Sequence, residues 1–391
     1  MKRRNFLKIS LFSPIIFREF IEARPIGQIR FVYGDASRYG LLELKGNYRK
    51  IGYQIGRYFR KNIETIIQRR KSWHNNLLSI LDTPEGKARS EVLKDAARRH
   101  FPHLLEEIEG MADGAGMHFK AIWAMTVKSE LGALENETPG CSTIFSNSGE
   151  KKWLFHNEDG DVTYLDIMFM VKVYPPSGVN FISLVYPGIL TGNGPSLNSR
   201  GIVQTTNYIG GLRSEPGIPR YVLGRAILEA ADLEEAEQIA TLTPRAYPYH
   251  HNLASFEEGR YLSVETVPGL AQSISPAGIY VHTNHLLHDQ TAKYAHEDSV
   301  YKNSSSMSRY SVIEQNLKKI KPEEDLSPEN LLSILSSHEQ APYSPCRHPR
   351  GKITGQTLAT AFFDLGKGLF RLYRGNPCKA VPRELYKDYS F

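Results

Sequence analysis

The chain has 391 residues, of which 23% are charged, and its formal net charge is +6. Residues 1–24 contain six Lys and Arg against two Glu, a balance of +4 that leaves only +2 for the remainder. This distribution excludes a broad basic surface, so we expect no nucleic-acid partner. A chain of this length buries a large core, either as two domains or as one large sandwich of sheets and helices.

The first 25 residues resemble a bacterial twin-arginine export signal. Arg3 and Arg4 are followed by Phe-Leu-Lys at residues 6–8 and by an apolar run at residues 9–17 that is too short to span a bilayer. We therefore expect export to the periplasm or outside the cell, and no stable membrane span. The alternative is a basic, poorly ordered N-terminus.

Residues 26–140 are predicted to be mainly helical after a first strand at residues 29–33. Apolar residues recur at three- and four-residue spacing, which is typical of amphipathic helices. Helices are predicted over residues 47–67, 91–111 and 119–131, with a loop at 82–89 and a polar, exposed loop at 135–139.

Strand signals dominate residues 141–391. Hairpins are predicted at residues 168–186, 253–265 and 357–373, each around a turn that contains glycine. Helices are predicted after Pro219, after an Asp232–Glu235 capping box, and over residues 308–320 and 327–336. Antiparallel hairpins with flanking helices indicate stacked sheets covered by helices, not a doubly wound parallel sheet.

A lone cysteine, Cys141, follows Gly140 where helix gives way to strand. Many such cysteines are buried small hydrophobes. The alternative is a nucleophile that breaks its own peptide bond, since Gly140 lets a thiol approach its carbonyl closely. In an exported protein Cys346 and Cys378 could pair and leave Cys141 free; otherwise all three thiols stay reduced.

Several blocks in order resemble the acyl-coenzyme A:6-aminopenicillanic-acid acyltransferase-like proteins, a branch of the N-terminal-nucleophile hydrolases. The blocks lie at residues 46–56, 106–116, 140–143, 156–159, 197–208, 217–220, 282–285, 346–349 and 375–378. The resemblance implies an α+β fold, a four-layer αββα sandwich of two stacked, mainly antiparallel sheets. It also implies self-cleavage between Gly140 and Cys141 into a small subunit, residues 26–140, and a catalytic one, residues 141–391, which stay associated as one domain.

Cleavage would make Cys141 an N-terminal residue that supplies both nucleophile and base, because an α-amine has a pKa of about 7.7–8.0. The resemblance assigns catalytic roles to Asp159, which orients the amine, to Asn207 and Asn252, which bind the oxyanion, and to Arg309 near the thiol. Taken locally, the same four residues also fit turn, strand-end and helix-surface roles. We expect substrate contacts from Tyr208 and from His156, which stands where related bile-salt hydrolases have an arginine.

The resemblance implies hydrolysis of a small-molecule N-acyl amide or acyl-thioester, with no cofactor and no metal. Acyl transfer to an amine would use the same residues. Two other classes stay open: a Cys-His dyad peptidase that pairs Cys141 with His251 or His285, and a non-catalytic exported binding protein. His282, His285 and His288 lack the Glu-bearing zinc motif, so we predict structural roles for them.

Overall fold

A computed structural model describes residues 30–34, 41–132, 140–210, 214–294, 305–320, 326–379 and 386–390, the first and last of these by backbone alone. The export signal and the loop at 135–139 lie outside the described residues. Ten α-helices are present in the described part of the chain, and none of them is long and apolar enough to cross a membrane. They are α1 (Tyr48–Tyr58), α2 (Arg60–Arg69), α3 (Lys71–Asp82), α4 (Pro84–His100), α5 (Pro102–Ala115), α6 (Phe119–Thr126), α7 (Arg220–Ile227), α8 (Leu233–Thr241), α9 (Ser305–Leu317) and α10 (Pro328–Leu335).

The strands of the described residues form two sheets. They are β1 (Arg30–Gly34), β2 (Leu42–Lys45), β3 (Gly140–Ser148), β4 (Lys151–Asp161), β5 (Phe169–Tyr174), β6 (Phe181–Val185), β7 (Ser196–Asn198), β8 (Ile202–Tyr208), β9 (Tyr249–Ser255), β10 (Arg260–Val267), β11 (Leu270–Ile274), β12 (Gly278–His282), β13 (Gly355–Asp364), β14 (Leu369–Arg374) and β15 (Tyr386–Ser390). One sheet has the order β12-β3-β4-β13-β14-β1-β15, and the other β11-β10-β9-β8-β7-β6-β5-β2. The neighbours are antiparallel except for β1 with β14 and β2 with β5.

The two sheets stack face to face with helices outside them. Phe145 of β3 points inward, and its ring stacks on Tyr261 of the other sheet with 4.0 Å between centroids. Ile144, the next residue back, points outward into a buried cluster with Ile313 of α9 and Leu331 of α10. On the far side, α8 packs on the outer face of the eight-stranded sheet. The predicted αββα sandwich is therefore confirmed.

Capping residues and prolines give two helices other bounds than those predicted from the sequence. The expected loop at residues 82–89 is wrong, because Thr83 caps α4 by accepting the Gly86 N–H at 3.0 Å, and Pro84 suits the first helical position. The helix predicted across residues 91–111 is interrupted at Phe101, because the following Pro102 cannot continue a helix but can start one.

Helices α1 and α5 cross at glycines. A Cβ atom placed on Gly52 would lie 1.9 Å from the Glu107 carbonyl oxygen, and one on Gly110 would lie 2.0 Å from the carbonyl oxygen of Arg49. Both obstacles are backbone atoms, which cannot rotate away. The glycines therefore set the distance between these two helices.

We expect Gly110→Ala to lower the melting temperature measurably, because overpacking of this kind costs about 1–3 kcal/mol. Thermal unfolding of the purified protein measures the effect. Gly366→Ala is the matched control, since a Cβ there has its nearest neighbours at 3.6 Å. Equal melting temperatures for the two variants would contradict the close crossing.

Candidate active site

Cys141 lies near the start of β3, and the pairing of β3 with β4 selects its neighbours. In this antiparallel hairpin Gly140 stands opposite Asp159, and Cys141 stands opposite Glu158. Directly opposed residues on neighbouring strands have side chains on the same face of the sheet. The hairpin therefore places one carboxylate beside the thiol and another beside the Gly140 residue that precedes it.

Alternation along β3 sends its side chains to two different environments. Thr143 faces the other sheet, where its hydroxyl donates to the Asn207 side-chain oxygen at 3.1 Å. Ser142 faces α9, where its hydroxyl accepts a hydrogen bond from Arg309 at 2.9 Å. Cys141 shares the face of Thr143, so its thiol points between the sheets.

Asn284 and Arg309 hold the backbone of Cys141. The Cys141 N–H donates to the Asn284 Oδ1 atom at 2.8 Å, and Arg309 donates to the Cys141 carbonyl oxygen at 2.6 Å. Arg309 also donates to Asn284 Oδ1 at 2.6 Å, while Asn284 Nδ2 donates to the Tyr208 carbonyl at 2.9 Å. The peptide nitrogen and carbonyl oxygen of Cys141 are thus fixed by one connected network.

Glu158 is the acid nearest to the thiol. Its Oε1 atom lies 4.0 Å from Cys141 Sγ and accepts the Tyr186 hydroxyl at 2.6 Å, while its Oε2 atom lies 3.3 Å from a ring nitrogen of His156. Burial, followed by the charges of Glu158 and Asp159, raises the pKa of the Cys141 thiol well above its usual value. The thiol of the uncut chain is therefore protonated at neutral pH and needs a base.

Asp159 is buried between two cations. Its Oδ1 atom accepts the Thr357 hydroxyl at 2.7 Å, and its Oδ2 atom has no hydrogen-bond partner within the described part of the chain. Burial raises the pKa of Asp159 to about 7, although the charges of Arg347 and Arg309 oppose the shift. The pKa of this carboxyl therefore lies near neutral pH rather than in its usual acidic range.

Gly140 leaves room for both guanidinium groups. A Cβ atom on this residue would lie 2.7 Å from Arg347 Nη1 and 3.0 Å from Arg309 Nη2. Arg309 keeps its charge at neutral pH, since burial lowers its pKa only to about 10. Positive charge therefore surrounds the residue whose carbonyl precedes Cys141.

Two residues predicted at the site, His156 and Asn252, make their hydrogen bonds around Thr143 and its partner Asn207. Asn252 donates to Asn207 Oδ1 at 2.8 Å and accepts the Tyr261 hydroxyl at 2.6 Å, so its amide is engaged beneath Thr143. His156 is fully buried, with a ring nitrogen 2.9 Å from the Thr143 hydroxyl, and it approaches the thiol beside Glu158. The Asn207 side chain contacts Thr143 and not the thiol.

No role was predicted from the sequence for Asn284, Glu158 or Arg347, although each lies inside one of the blocks that resemble the family.

The histidines proposed for a dyad have other surroundings. His285 contacts the Ser306 hydroxyl at 2.8 Å, and the His251 ring packs edge-on against Tyr249. Burial lowers the pKa of His251 to about 3 and that of His285 to about 4, which weakens both as bases. His282 contacts Glu265 at 2.8 Å in a buried pair, consistent with a structural role.

One group of atoms at the thiol has a composition that metals accept. Cys141 Sγ, a ring nitrogen of His156 and an oxygen of Glu158 lie within 4.8 Å of one another. The ring nitrogens of His156 already contact Thr143 and Glu158, and the carboxylate already accepts from Tyr186. These bonds connect the His156 ring and the Glu158 carboxylate to the protein's own polar groups.

A cavity that is partly open to solvent leads to Cys141, and its empty space, including solvent at the mouth, is about 540 Å³. Glu158, Asp159 and Asp161 contribute acidic groups to its wall. Its aromatic lining consists of Tyr164, Tyr186, Tyr208, Tyr221 and Tyr249. The Arg220 guanidinium lies over three of these rings, at 4.4 Å from Tyr221, 4.6 Å from Tyr249 and 4.9 Å from Tyr208. The wall therefore offers flat aromatic surface, several acids and two cations, Lys128 and Arg220.

We expect Asn284→Ser to slow any reaction at Cys141 by at least about 10-fold, because the variant loses the group that fixes the Cys141 nitrogen. Asn252→Ser is the comparison, and we expect a smaller effect from it. Rates of peptide cleavage at Cys141, measured by gel and mass spectrometry on folded samples, decide the point. A larger loss of cleavage rate in the Asn252 variant would instead support Asn252 as the residue that acts at Cys141, as predicted from the sequence.

We expect Asp159→Asn to stabilise a Cys141→Ala chain at pH 8 and to have little effect near pH 4. The folded pKa of about 7 exceeds the ordinary aspartate pKa of 3.8, so the folded state binds more protons between these values. Ionised Asp159 therefore destabilises the folded state increasingly as pH rises between these two pKa values, and the loss of stability persists above pH 7. Melting temperatures at pH 4 and pH 8 measure it, with a gain of a few degrees expected at pH 8. A gain that is equal at both pH values would contradict the shift.

Comparison with known proteins adds three findings. Residues 146–379 match the family of acyl-coenzyme A:6-aminopenicillanic acid acyl-transferase. The β-alanyl-dopamine/carcinine hydrolase of Drosophila melanogaster is 26% identical over 217 residues, which are 51% of this chain and 56% of the fly protein, so the match spans just over half of that relative. A conjugated bile acid hydrolase variant from Clostridium perfringens aligns with a TM-score of 0.33 at 13% identity, over 66% of this chain and 90% of that one. Because the family match covers more than half of its residues, the chain belongs to the acyl-coenzyme A:6-aminopenicillanic acid acyl-transferase family.

Proposed function

We propose that the chain is a self-cleaving hydrolase of linear amide bonds, cut between Gly140 and Cys141, in which Cys141 then acts as an N-terminal nucleophile. One observation carries the proposal. The backbone of Cys141 is held by Asn284 and Arg309, while its side chain lines the cavity. Family membership supports the reaction class, and so does the fly relative, whose name describes a hydrolase.

Self-cleavage starts from a chain that has no α-amine at Cys141. The thiol attacks the Gly140 carbonyl, an S–C bond forms, and the C–N bond to Cys141 breaks. Glu158, 4.0 Å from the sulfur, is the acceptor for the thiol proton, which then passes to the departing nitrogen. Arg309 and Arg347 stabilise the oxyanion at Gly140, and water releases Gly140 from the thioester.

Turnover uses the new α-amine. The amine stays at Asn284 Oδ1, which already accepts a hydrogen bond from this nitrogen in the uncut chain. Its free pKa of about 7.7–8.0 suits it to take the thiol proton near neutral pH. The thiolate then attacks the substrate carbonyl, the substrate amine leaves with a proton, and water hydrolyses the acyl-thioester. Asp159 orients the ammonium form and is stabilised by it.

The cavity wall indicates a small amide with an aromatic group. Five tyrosines line the cavity, and Arg220 lies among their rings. Offset or edge-on aromatic pairs are worth about 0.5–1.5 kcal/mol beyond burial, so an aromatic amide gains more here than an aliphatic one. β-Alanyl-dopamine and carcinine, named for the fly relative, are the first substrates to assay. Product analysis with added amines separates hydrolysis from acyl transfer, which uses the same residues.

We expect the purified full-length protein to contain a fragment that begins Cys-Ser-Thr at residue 141, and Cys141→Ala to stay uncut. Intact mass and N-terminal sequencing detect the break directly. Glu158→Gln should slow cleavage by roughly 100-fold or more, since a positioned base contributes about 10²–10⁴-fold.

A folded, active wild-type chain that remains uncut would contradict the N-terminal nucleophile. Activity that is then lost in Cys141→Ala would favour a thiol peptidase, whose nearest ring partner is His156 rather than the residues expected from sequence. Ligand binding retained in Cys141→Ala, without any turnover by the wild type, would favour a binding protein.

A further inference from the structure

Four potential metal ligands, none of which lines the cavity, lie close together in the described part of the chain. One ligand atom from each of His338, Cys346, His348 and Cys378 lies within 4.8 Å of the other three. Cys346 is buried and His348 is half-buried, while His338 and Cys378 are exposed. An ion could therefore enter from solvent.

Three of the six distances between these atoms are close to the edges of a tetrahedron around a metal ion. The His348 Nε2 atom lies 3.6 Å from Cys346 Sγ, 3.5 Å from Cys378 Sγ and 3.2 Å from His338 Nε2. Zinc binds cysteine sulfur at about 2.3 Å and histidine nitrogen at about 2.0–2.1 Å, which makes the edges of a tetrahedral site about 3.6 Å for N–S and about 3.4 Å for N–N.

Hydrogen bonds from or to His348 Nε2 can satisfy only one of its three close neighbours. A neutral imidazole nitrogen has either one hydrogen or one lone pair, whereas His348 Nε2 faces two sulfur atoms and another ring nitrogen at once. A cation at the centre would accept one lone pair from each of the four groups. With a cation between them, the close approach of these four electron-pair donors becomes favourable.

We propose that His338, Cys346, His348 and Cys378 form a structural zinc site. A Cys₂His₂ set with tetrahedral spacing and no open position is typical of structural rather than catalytic zinc. Asn376 supports it from outside, because its side-chain amide donates to Cys346 Sγ at 3.3 Å. This proposal replaces the sequence-based expectation that the chain needs no metal.

The zinc site would fix Arg347, which lies between two of its ligands in the chain. Arg347 is fully buried, its N–H donates to the Thr357 hydroxyl at 2.9 Å, and its carbonyl accepts from Asn376 at 2.6 Å. Its guanidinium reaches Gly140, as described above. The zinc ion therefore does not contact the candidate active site. It acts on that site only by fixing the position of Arg347.

Metal analysis of the purified full chain tests the site without reference to activity. We expect ~1 zinc ion per chain, and, after exchange, a cobalt form with the thiolate-to-metal absorption of cysteine ligation. His338→Gln and Cys378→Ser change exposed ligands and should lower zinc affinity at least about 10-fold in competition with a chelator. His100→Gln, an exposed histidine at the end of α4, and Cys141→Ala should keep the wild-type metal content.

Three results would overturn the proposal. They are a wild-type chain that stays metal-free after incubation with Zn²⁺, a Cys346–Cys378 disulfide in a non-reduced peptide map, and loss of the metal in Cys141→Ala. The last would place the ion at the thiol. The cobalt spectrum of the wild type keeps the test decisive even where a ligand variant fails to fold.

Discussion

The pairing of β3 with β4 is the constraint on which the site depends. Because side chains alternate across a strand, this register sends the thiol of Cys141 between the sheets and sends Ser142 to Arg309 of α9. A slip of one residue would exchange these environments and put the thiol under the helix. Hydrophobic pairs further along the hairpin, such as Ile144 with Phe155, oppose such a slip by burying the outer face.

Buried charge of both signs surrounds the Gly140–Cys141 peptide. Arg309 and Arg347 lie on one side, and Glu158 and Asp159 lie across the hairpin. In the uncut chain both the thiol and Asp159 are held towards their protonated forms, so the charges are incompletely matched. A new ammonium group at residue 141 would favour the ionised form of Asp159, because a nearby positive charge stabilises a buried carboxylate.

Local signals in the sequence predicted most of the fold. The hairpins at residues 168–186 and 357–373 and the Asp232 cap are present, because turn and cap chemistry acts over a few residues. The break between α1 and α2 at Phe59 lies inside the helix predicted over residues 47–67 and escaped prediction, since it involves neither proline nor glycine.

Contacts between distant segments limited the prediction of the site. Cys141 and Asp159 could be found because one hairpin joins them. Asn284 follows β12, whose position beside β3 is known only once the sheet is assembled. The four proposed zinc ligands likewise span residues 338–378 without a short spacing motif, so folding alone reveals their convergence.

Strands from both sides of residue 140 are interleaved in the two sheets. β1 lies between β14 and β15, and β2 extends the other sheet beside β5. If the backbone opens at Gly140, each sheet becomes a heterologous assembly in which neither polypeptide can leave without exposing unpaired strand edges. We therefore expect the nicked molecule to unfold in one cooperative transition. We expect the missing peptide bond to impair refolding, because two separate polypeptides must then reassemble.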